Sequence, residues 1–270
     1  MKSKDEITMF AKQIRRLSLK MAHNAKSSHS GGALSMADIL AVLYSGVLRI
    51  SPDTVSNPQR DRFLLSKGHC CASLYAALAI KGFLDEKELL ENYGKNGGVY
   101  FSHVSHKLNG VEMSSGSLGH GLPVACGIAM SSKVSDIPFD TYVLTGDGEL
   151  DEGSCWEAIM FAAQKELDNL CLIVDYNKIQ SLGNVADICS LEPLAKKFEA
   201  FRWNVIEIDG HDVDEIENAF TQFKSEQKRP TVIIANTIKG KGVSFMEGQL
   251  LWHYRSPNDE QLKQALEELA

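Results

Sequence analysis

Four short aliphatic runs constrain this chain more than anything else in it. They are Tyr142-Val-Leu-Thr145, Leu170-Cys-Leu-Ile-Val174, Val205-Ile-Glu-Ile208 and Thr231-Val-Ile-Ile-Ala235, the last with Pro230 at its edge. Helix-length segments separate them. One runs from about Gly153 to Glu166 with Trp156, Ile159 and Ala163 on one face, and another from Leu191 to Phe201. In a third, Val213, Ile216, Phe220 and Phe223 recur at steps of three and four. A continuous apolar run such as Leu170–Val174 suits a strand covered on both faces. Strand–helix alternation at this spacing predicts βαβ units: an α/β fold with a mostly parallel sheet, right-handed crossovers and helices on both faces. In such sheets ligands bind where the strands' carboxyl ends meet the loops. The segments at those ends are Gly146-Asp147-Gly148, Asp175-Tyr176-Asn177 and Lys239-Gly240-Lys241-Gly242.

The first half reads as more helical. Ile7, Phe10, Ile14, Leu17 and Met21 form the stripe of an amphipathic helix, and further helices are expected over Met36–Leu48, Cys71–Lys81 and Asp85–Tyr93. Its loops pair histidine with glycine at Ser28-His29-Ser30-Gly31-Gly32, Lys67-Gly68-His69, Phe101-Ser102-His103 and Gly116-Ser117-Leu118-Gly119-His120-Gly121. No repeat or low-complexity linker divides the chain, so residues 1–270 are expected to form one domain.

Several function classes drop out. With 28 Lys and Arg against 35 Asp and Glu, the net charge of −7 opposes nucleic-acid binding, which draws on a basic surplus. The longest stretch without a charged residue, Met113–Ser132, holds nine Gly or Ser and Pro123, too polar for a membrane span. The N-terminus lacks the apolar segment of a secretion signal, which makes the cytoplasm the expected location. The six cysteines show no C-x-x-C spacing and read as buried thiols. His103 and His106 have no further ligands at zinc spacing.

Asp147 and Asn177 each follow a predicted strand, and the two strands are joined by one crossover. Their side-chain oxygens can converge above the sheet as hard ligands for Mg²⁺ or Ca²⁺. The flanking glycines let main chain approach a ligand, and the helix after them turns free N–H groups toward an anion. A metal-bridged diphosphate fits. An isolated Gly-Asp-Gly, however, is more often a tight turn, and Asn177 would then be a cap.

The longer motifs shift that balance. Gly146-Asp-Gly-Glu-Leu-Asp-Glu-Gly153 followed by Val174-Asp-Tyr-Asn-Lys-Ile179 resembles the thiamine diphosphate motif. Ser28-His29-Ser-Gly-Gly32, Arg60-Asp-Arg-Phe63, Ser66-Lys-Gly-His69, Gly110-Val-Glu-Met-Ser-Ser-Gly-Ser-Leu-Gly119, Lys239-Gly-Lys-Gly-Val-Ser-Phe245 and Trp252-His253 then follow the order found in the N-terminal half of transketolases. The resemblance covers almost the whole chain. It implies a thiamine diphosphate-binding fold of the diphosphate-binding type. The pyrimidine-binding and C-terminal domains of full transketolases have no room here. The resemblance therefore implies one subunit of a split transketolase, paired with a separately encoded C-terminal subunit, in an α2β2 assembly.

By the same resemblance, Asp147, Asn177 and the carbonyl of Ile179 hold Mg²⁺, with Ca²⁺ or Mn²⁺ as substitutes, and Gly148 touches the diphosphate. Lys239 and His253 lie near the phosphates, and Gly116 and Leu118 grip the aminopyrimidine through the main chain. Glu152 couples to the partner's catalytic glutamate. His29, His69 and His103 face a sugar or sugar phosphate and shuttle protons, for which a ring that both donates and accepts near neutrality is suited. The implied reaction moves a two-carbon ketol unit from a ketose to an aldose. His23, His106 and His211 are expected to be loop hydrogen-bonders, and His120 stands where many relatives carry Gln. Two departures stand out: Ser30 and Ser117 occupy positions where the family has Pro. The alternatives are a subunit of a deoxyxylulose-phosphate synthase-like enzyme or of a 2-oxo acid dehydrogenase, and a non-catalytic cofactor-binding subunit.

Overall fold

A computed structural model of the protein describes residues 2–270. The N-terminal stripe forms α1 (Lys4–Ala25), opened by a capping box in which Ser3 N donates to the Glu6 carboxylate at 2.8 Å. The helix expected over Met36–Leu48 is instead broken: α2 (Ser30–Ser35), α3 (Ala37–Val42) and a wide turn over Leu43–Val47, where Gly46 takes φ 147°. There follow β1 (Arg62–Leu65), α4 (Cys71–Ile80), α5 (Glu86–Asn92) and α6 (Gly121–Ser135). The second half supplies β2 (Thr141–Gly146), α7 (Gly153–Gln164), β3 (Leu170–Tyr176), the short strands β4 (Ile179–Gln180) and β5 (Gly183–Asn184), α8 (Val185–Ile188), α9 (Leu194–Ala200), β6 (Asn204–Asp209), α10 (Val213–Ser225), β7 (Thr231–Asn236) and α11 (Asp259–Glu268).

Five strands make one parallel sheet in the order β1-β2-β3-β7-β6, while β4 and β5 pair as a small antiparallel hairpin. Side chains alternate between the faces. Tyr142, Leu144, Cys171, Ile173 and Ile233 join one core with α1, α3, α4 and α10, and Val143, Leu172, Val174, Val232 and Ile234 join the other with α6, α7 and α9. Both cores are apolar, which is why these strands read as continuous runs. The expected fold class is what the chain adopts. No helix among the described residues is long and apolar enough to cross a membrane.

Two elements escape the sequence pattern. β1 is four residues long and flanked by Asp61 and Ser66, too short to show a period. α6 is disguised by Gly121, Pro123 and Gly127, although Pro123 falls in the first turn, where its missing N–H has no helical partner in any case. Register then fixes the site. Gly146 stands beside Asp175, and Asp175 beside Ala235, so β2, β3 and β7 end level and the residues after them share one rim.

Candidate functional site

A cavity of about 320 Å³ opens at that rim. Of the twelve residues singled out in the sequence, His29, His69, His103, Gly116, Leu118, Asp147, Gly148, Asn177, Ile179, Lys239 and His253 line it. Glu152 does not: it is exposed, at the residue preceding α7. The glycines shape the walls. Gly146 has open space where a Cβ would stand, while a Cβ on Gly148 would meet Gln180 at 2.8 Å and one on Gly32 would meet Cys70 Sγ at 2.8 Å. Gly146 thus leaves main chain bare to a ligand, and the other two keep the wall thin.

One corner presents hard oxygens. Asp147 is buried, its Oδ1 accepting from Gly148 N at 2.7 Å and its Oδ2 from Lys178 N at 2.5 Å. Burial, and next the charge of Asp175, push its carboxyl up to about 6. Asn177 is also buried and its Oδ1 accepts from Ile179 N at 3.2 Å. The Ile179 carbonyl accepts from Lys239 Nζ at 2.7 Å. Among the described residues, no three His, Cys, Asp or Glu side chains gather as a metal cage. The available set is one carboxylate, one amide oxygen and one carbonyl, which suits a hard cation and not zinc. The anion-facing helix start expected after Gly148 is displaced by a short 3₁₀ turn over Gly148–Asp151, and the Gly148 N–H is already held by Asp147.

Opposite lies a histidine wall. The ring of His29 is 4.9 Å from His69, 5.0 Å from His253 and 6.3 Å from His103, centre to centre. His29 precedes α2 with φ 72°, a left-handed conformation held by its N–H donating to the His253 carbonyl at 3.1 Å. Burial and neighbouring positive charge lower the pKa of His29 and His69 to about 4 and of His253 to about 3, and His103 is also lowered. All four rings are therefore neutral at pH 7. Lys239 Nζ lies 3.1 Å from His253 Nδ1. An ammonium has no lone pair, so Nδ1 accepts and the ring proton sits on Nε2. The remaining histidines are tied to structural partners: His23 to Asp259, His106 to Ser114, His211 to Asp38 and the Ile238 N–H, and His120 to the Leu118 carbonyl.

Sequence reasoning assigned nothing to Lys67, Glu149 and Asp175, all buried at or beneath the cavity. Lys67 donates to Asp175, and also to the Gly32 carbonyl at 3.1 Å. Burial alone would neutralise both members of that pair. Instead Asp175 drives the Lys67 pKa up, and Lys67 with hydroxyls from Ser35 and Thr237 holds Asp175 down. Glu149 accepts from Ser66 and from the N–H groups of Gly119, at 2.9 Å, and Gly146, at 3.2 Å, and so fastens the 116–119 loop to the end of β2. One signal was available: Asp175 is a charge inside an apolar strand, and a buried charge requires a partner.

Residues 7–269 match the family model described as transketolase, thiamine diphosphate binding domain. An apulose-4-phosphate transketolase subunit of Phocaeicola vulgatus is 40% identical over 252 residues, covering 93% of this chain and 89% of that protein. A 6-deoxy-6-sulfo-D-fructose transketolase subunit of Clostridium sp. is 44% identical over 96% of this chain and 94% of its own. The crystal structure of Campylobacter jejuni transketolase superposes with a TM-score of 0.94 at 34% identity, over 99% of this chain but 43% of that one. Human transketolase, 39% identical, is likewise covered over only 41% of its length. The chain thus spans about two fifths of those transketolases and nearly all of the proteins called subunits.

Proposed function

The chain belongs to the transketolase family, and from that premise we propose that it is the diphosphate-binding subunit of a two-chain transketolase. It moves a two-carbon ketol unit from a ketose to an aldose, with thiamine diphosphate and Mg²⁺, in the cytoplasm. The observation that carries this reading is the meeting, in one cavity, of a hard-oxygen corner with a wall of neutral histidines.

Asp147, Asn177 and the Ile179 carbonyl would hold the metal, and the bare main chain at Gly146, with Gly148 in the wall beside it, would lie against the diphosphate. Lys239 supplies a point charge for a phosphate, and His253 offers its Nε2 proton beside it. Gly116 and Leu118 take the aminopyrimidine. When bound, the cofactor supplies the electron sink that lets a bond beside a carbonyl break. The chain's own work is orientation and proton transfer. His29, His69 and His103, neutral at pH 7, can each accept a proton from a sugar hydroxyl and return it. Glu152, exposed at the start of α7, would meet the partner chain, in an α2β2 assembly. A sugar or sugar phosphate is the expected substrate class, since the two subunit-type relatives are named for apulose-4-phosphate and 6-deoxy-6-sulfo-D-fructose.

The test is reconstitution. The chain is purified with whatever protein accompanies it and assayed on a panel of ketose donors and aldose acceptors, with thiamine diphosphate and Mg²⁺. Ketol transfer should require both chains. Full-rate transfer by this chain alone would overturn the two-chain reading.

A further inference from the structure

Tyr75 is fully buried on α4, its ring edge-on to Tyr93 at 6.2 Å between centres. Its hydroxyl donates to the His103 carbonyl at 2.9 Å and accepts from the Ser105 N–H at 3.0 Å. A carbonyl can only accept and an amide N–H can only donate, so the direction of both bonds is fixed. One side-chain oxygen thus grips the main chain on both sides of Val104.

His103 depends on that grip. Among the described residues no other hydrogen bond reaches its main chain or its ring. The path of the chain through residues 103–105 therefore sets where the ring stands. Two further bonds tie the same loop to the start of α4. Cys71 Sγ donates to the Phe101 carbonyl at 3.6 Å, a weak bond, and the Val104 N–H donates to the Gly68 carbonyl at 3.2 Å. Neither holds the His103 peptide itself. His69 stands in the turn Gly68–Cys70 that leads directly into α4. The helix that begins beside His69 therefore also carries the hydroxyl that holds His103. Val104 and Ser105 are buried, and buried main-chain groups need partners. Without the hydroxyl, the His103 carbonyl and the Ser105 N–H must turn elsewhere, and the ring moves with them.

We propose that Tyr75 is a positioning residue for His103: through its hydroxyl, α4 sets the His103 ring in register with His69 across the cavity. The inference rests on the reading of His103 as a group that exchanges protons with a sugar. Misplacing such a group by about 1 Å can cost about 100-fold in rate without touching the groups that bind.

The test is a double-mutant cycle of Tyr75→Phe and His103→Ala. Tyr75→Phe removes one oxygen and keeps the ring on Tyr93. Each variant is assayed with its partner subunit, thiamine diphosphate, Mg²⁺ and the ketose and aldose that the wild type turns over fastest. Tyr75→Phe should lower kcat about tenfold or more, while calorimetric affinity for thiamine diphosphate in Mg²⁺ stays within about twofold of wild type, since Tyr75 touches no binding group. In the His103→Ala background the same change should alter kcat less than about twofold, because residues that act as one unit are not additive. A second readout needs this chain alone. In carbon–proton spectra of histidine-labelled protein, the His103 ring signal, identified by its loss in His103→Ala, should move or split in Tyr75→Phe. The signals of His29 and His253 should stay. Wild-type kcat in Tyr75→Phe, an equal loss in both backgrounds, or an unmoved His103 signal overturns the positioning role and leaves His103 its own. If His103→Ala keeps wild-type kcat, the reading of His103 as a proton carrier fails, and this inference with it.

Discussion

Asp147 and His103 border the same cavity but should fail differently when replaced. Asp147→Asn keeps the shape and removes the charge a cation needs, so thiamine diphosphate affinity in Mg²⁺ should drop at least about tenfold. Calorimetry showing undiminished affinity would remove Asp147 from the metal corner. His103 is the most open of the four cavity histidines. His103→Ala should leave cofactor affinity near wild type and lower kcat about 100-fold or more, the range of a lost acid–base group. His29 gives a pH prediction. Its folded pKa of about 4 lies below the ordinary 6.5, through burial first and then the charges of its neighbours. Between those values the unfolded chain binds a proton that the fold refuses, so the ring's contribution to stability is lost as pH falls. Asparagine tolerates the φ of 72° at this position. The Tm of His29→Asn relative to wild type should thus climb as pH is lowered through that window, and a pH-independent difference would contradict the assignment. At this scale the sequence was readable wherever a residue type announces its chemistry, as Asp147, Asn177 and the loop histidines do. Lys67, Glu149 and Asp175 were not readable, because their roles consist entirely of partners distant in the chain.

The helices with a clear apolar stripe, α1 and α10, are legible because 3.6-residue periodicity is local. The strands β2, β3 and β7 are legible because burial on both faces leaves a continuous apolar run, and the edge strand β6 because Val205, Ile206 and Ile208 flank a single exposed Glu207. β1 and α6 were not, for want of length in one and because of glycine and proline in the other. Two glycines of α6 separate propensity from packing. Gly127 is exposed, sits mid-helix and has nothing within 4 Å of where a Cβ would stand. Gly127→Ala should stabilise the chain by about 0.5–1 kcal/mol, the helix-propensity difference. Gly121, at the start of the same helix, would place a Cβ 2.2 Å from Ser66 Oγ, the atom that accepts its own N–H at 3.0 Å. Gly121→Ala should destabilise by about 1–3 kcal/mol, as overpacking does. Thermal melts of the two variants should move in opposite directions, and equal shifts would contradict the close packing at Ser66.

Across the whole molecule, stability should be graded from the centre of the sheet outward. β3 is paired on both sides, by β2 and β7, and buried along its full length. Its amides should exchange with solvent slowest, followed by β2 and β7, then the edge strands β1 and β6. The two-residue pairing of β4 with β5 has little to hold it and should exchange fastest. Hydrogen-exchange mass spectrometry resolves these segments, and fast exchange in β3 would contradict the sheet order. That order was beyond the sequence, since β6 precedes β7 in the chain yet lies outside it at the edge. Alternation of strand and helix determined the fold class by itself, and turn chemistry determined which loops could touch a diphosphate or a sugar, because both are local properties of a few neighbouring residues. Only the tertiary structure decided that four histidines from separate loops stand ring to ring, and that Lys67 meets Asp175 across 108 positions. Contacts at such separation are selected by the packing of the whole chain, and no stretch of sequence contains both halves of them.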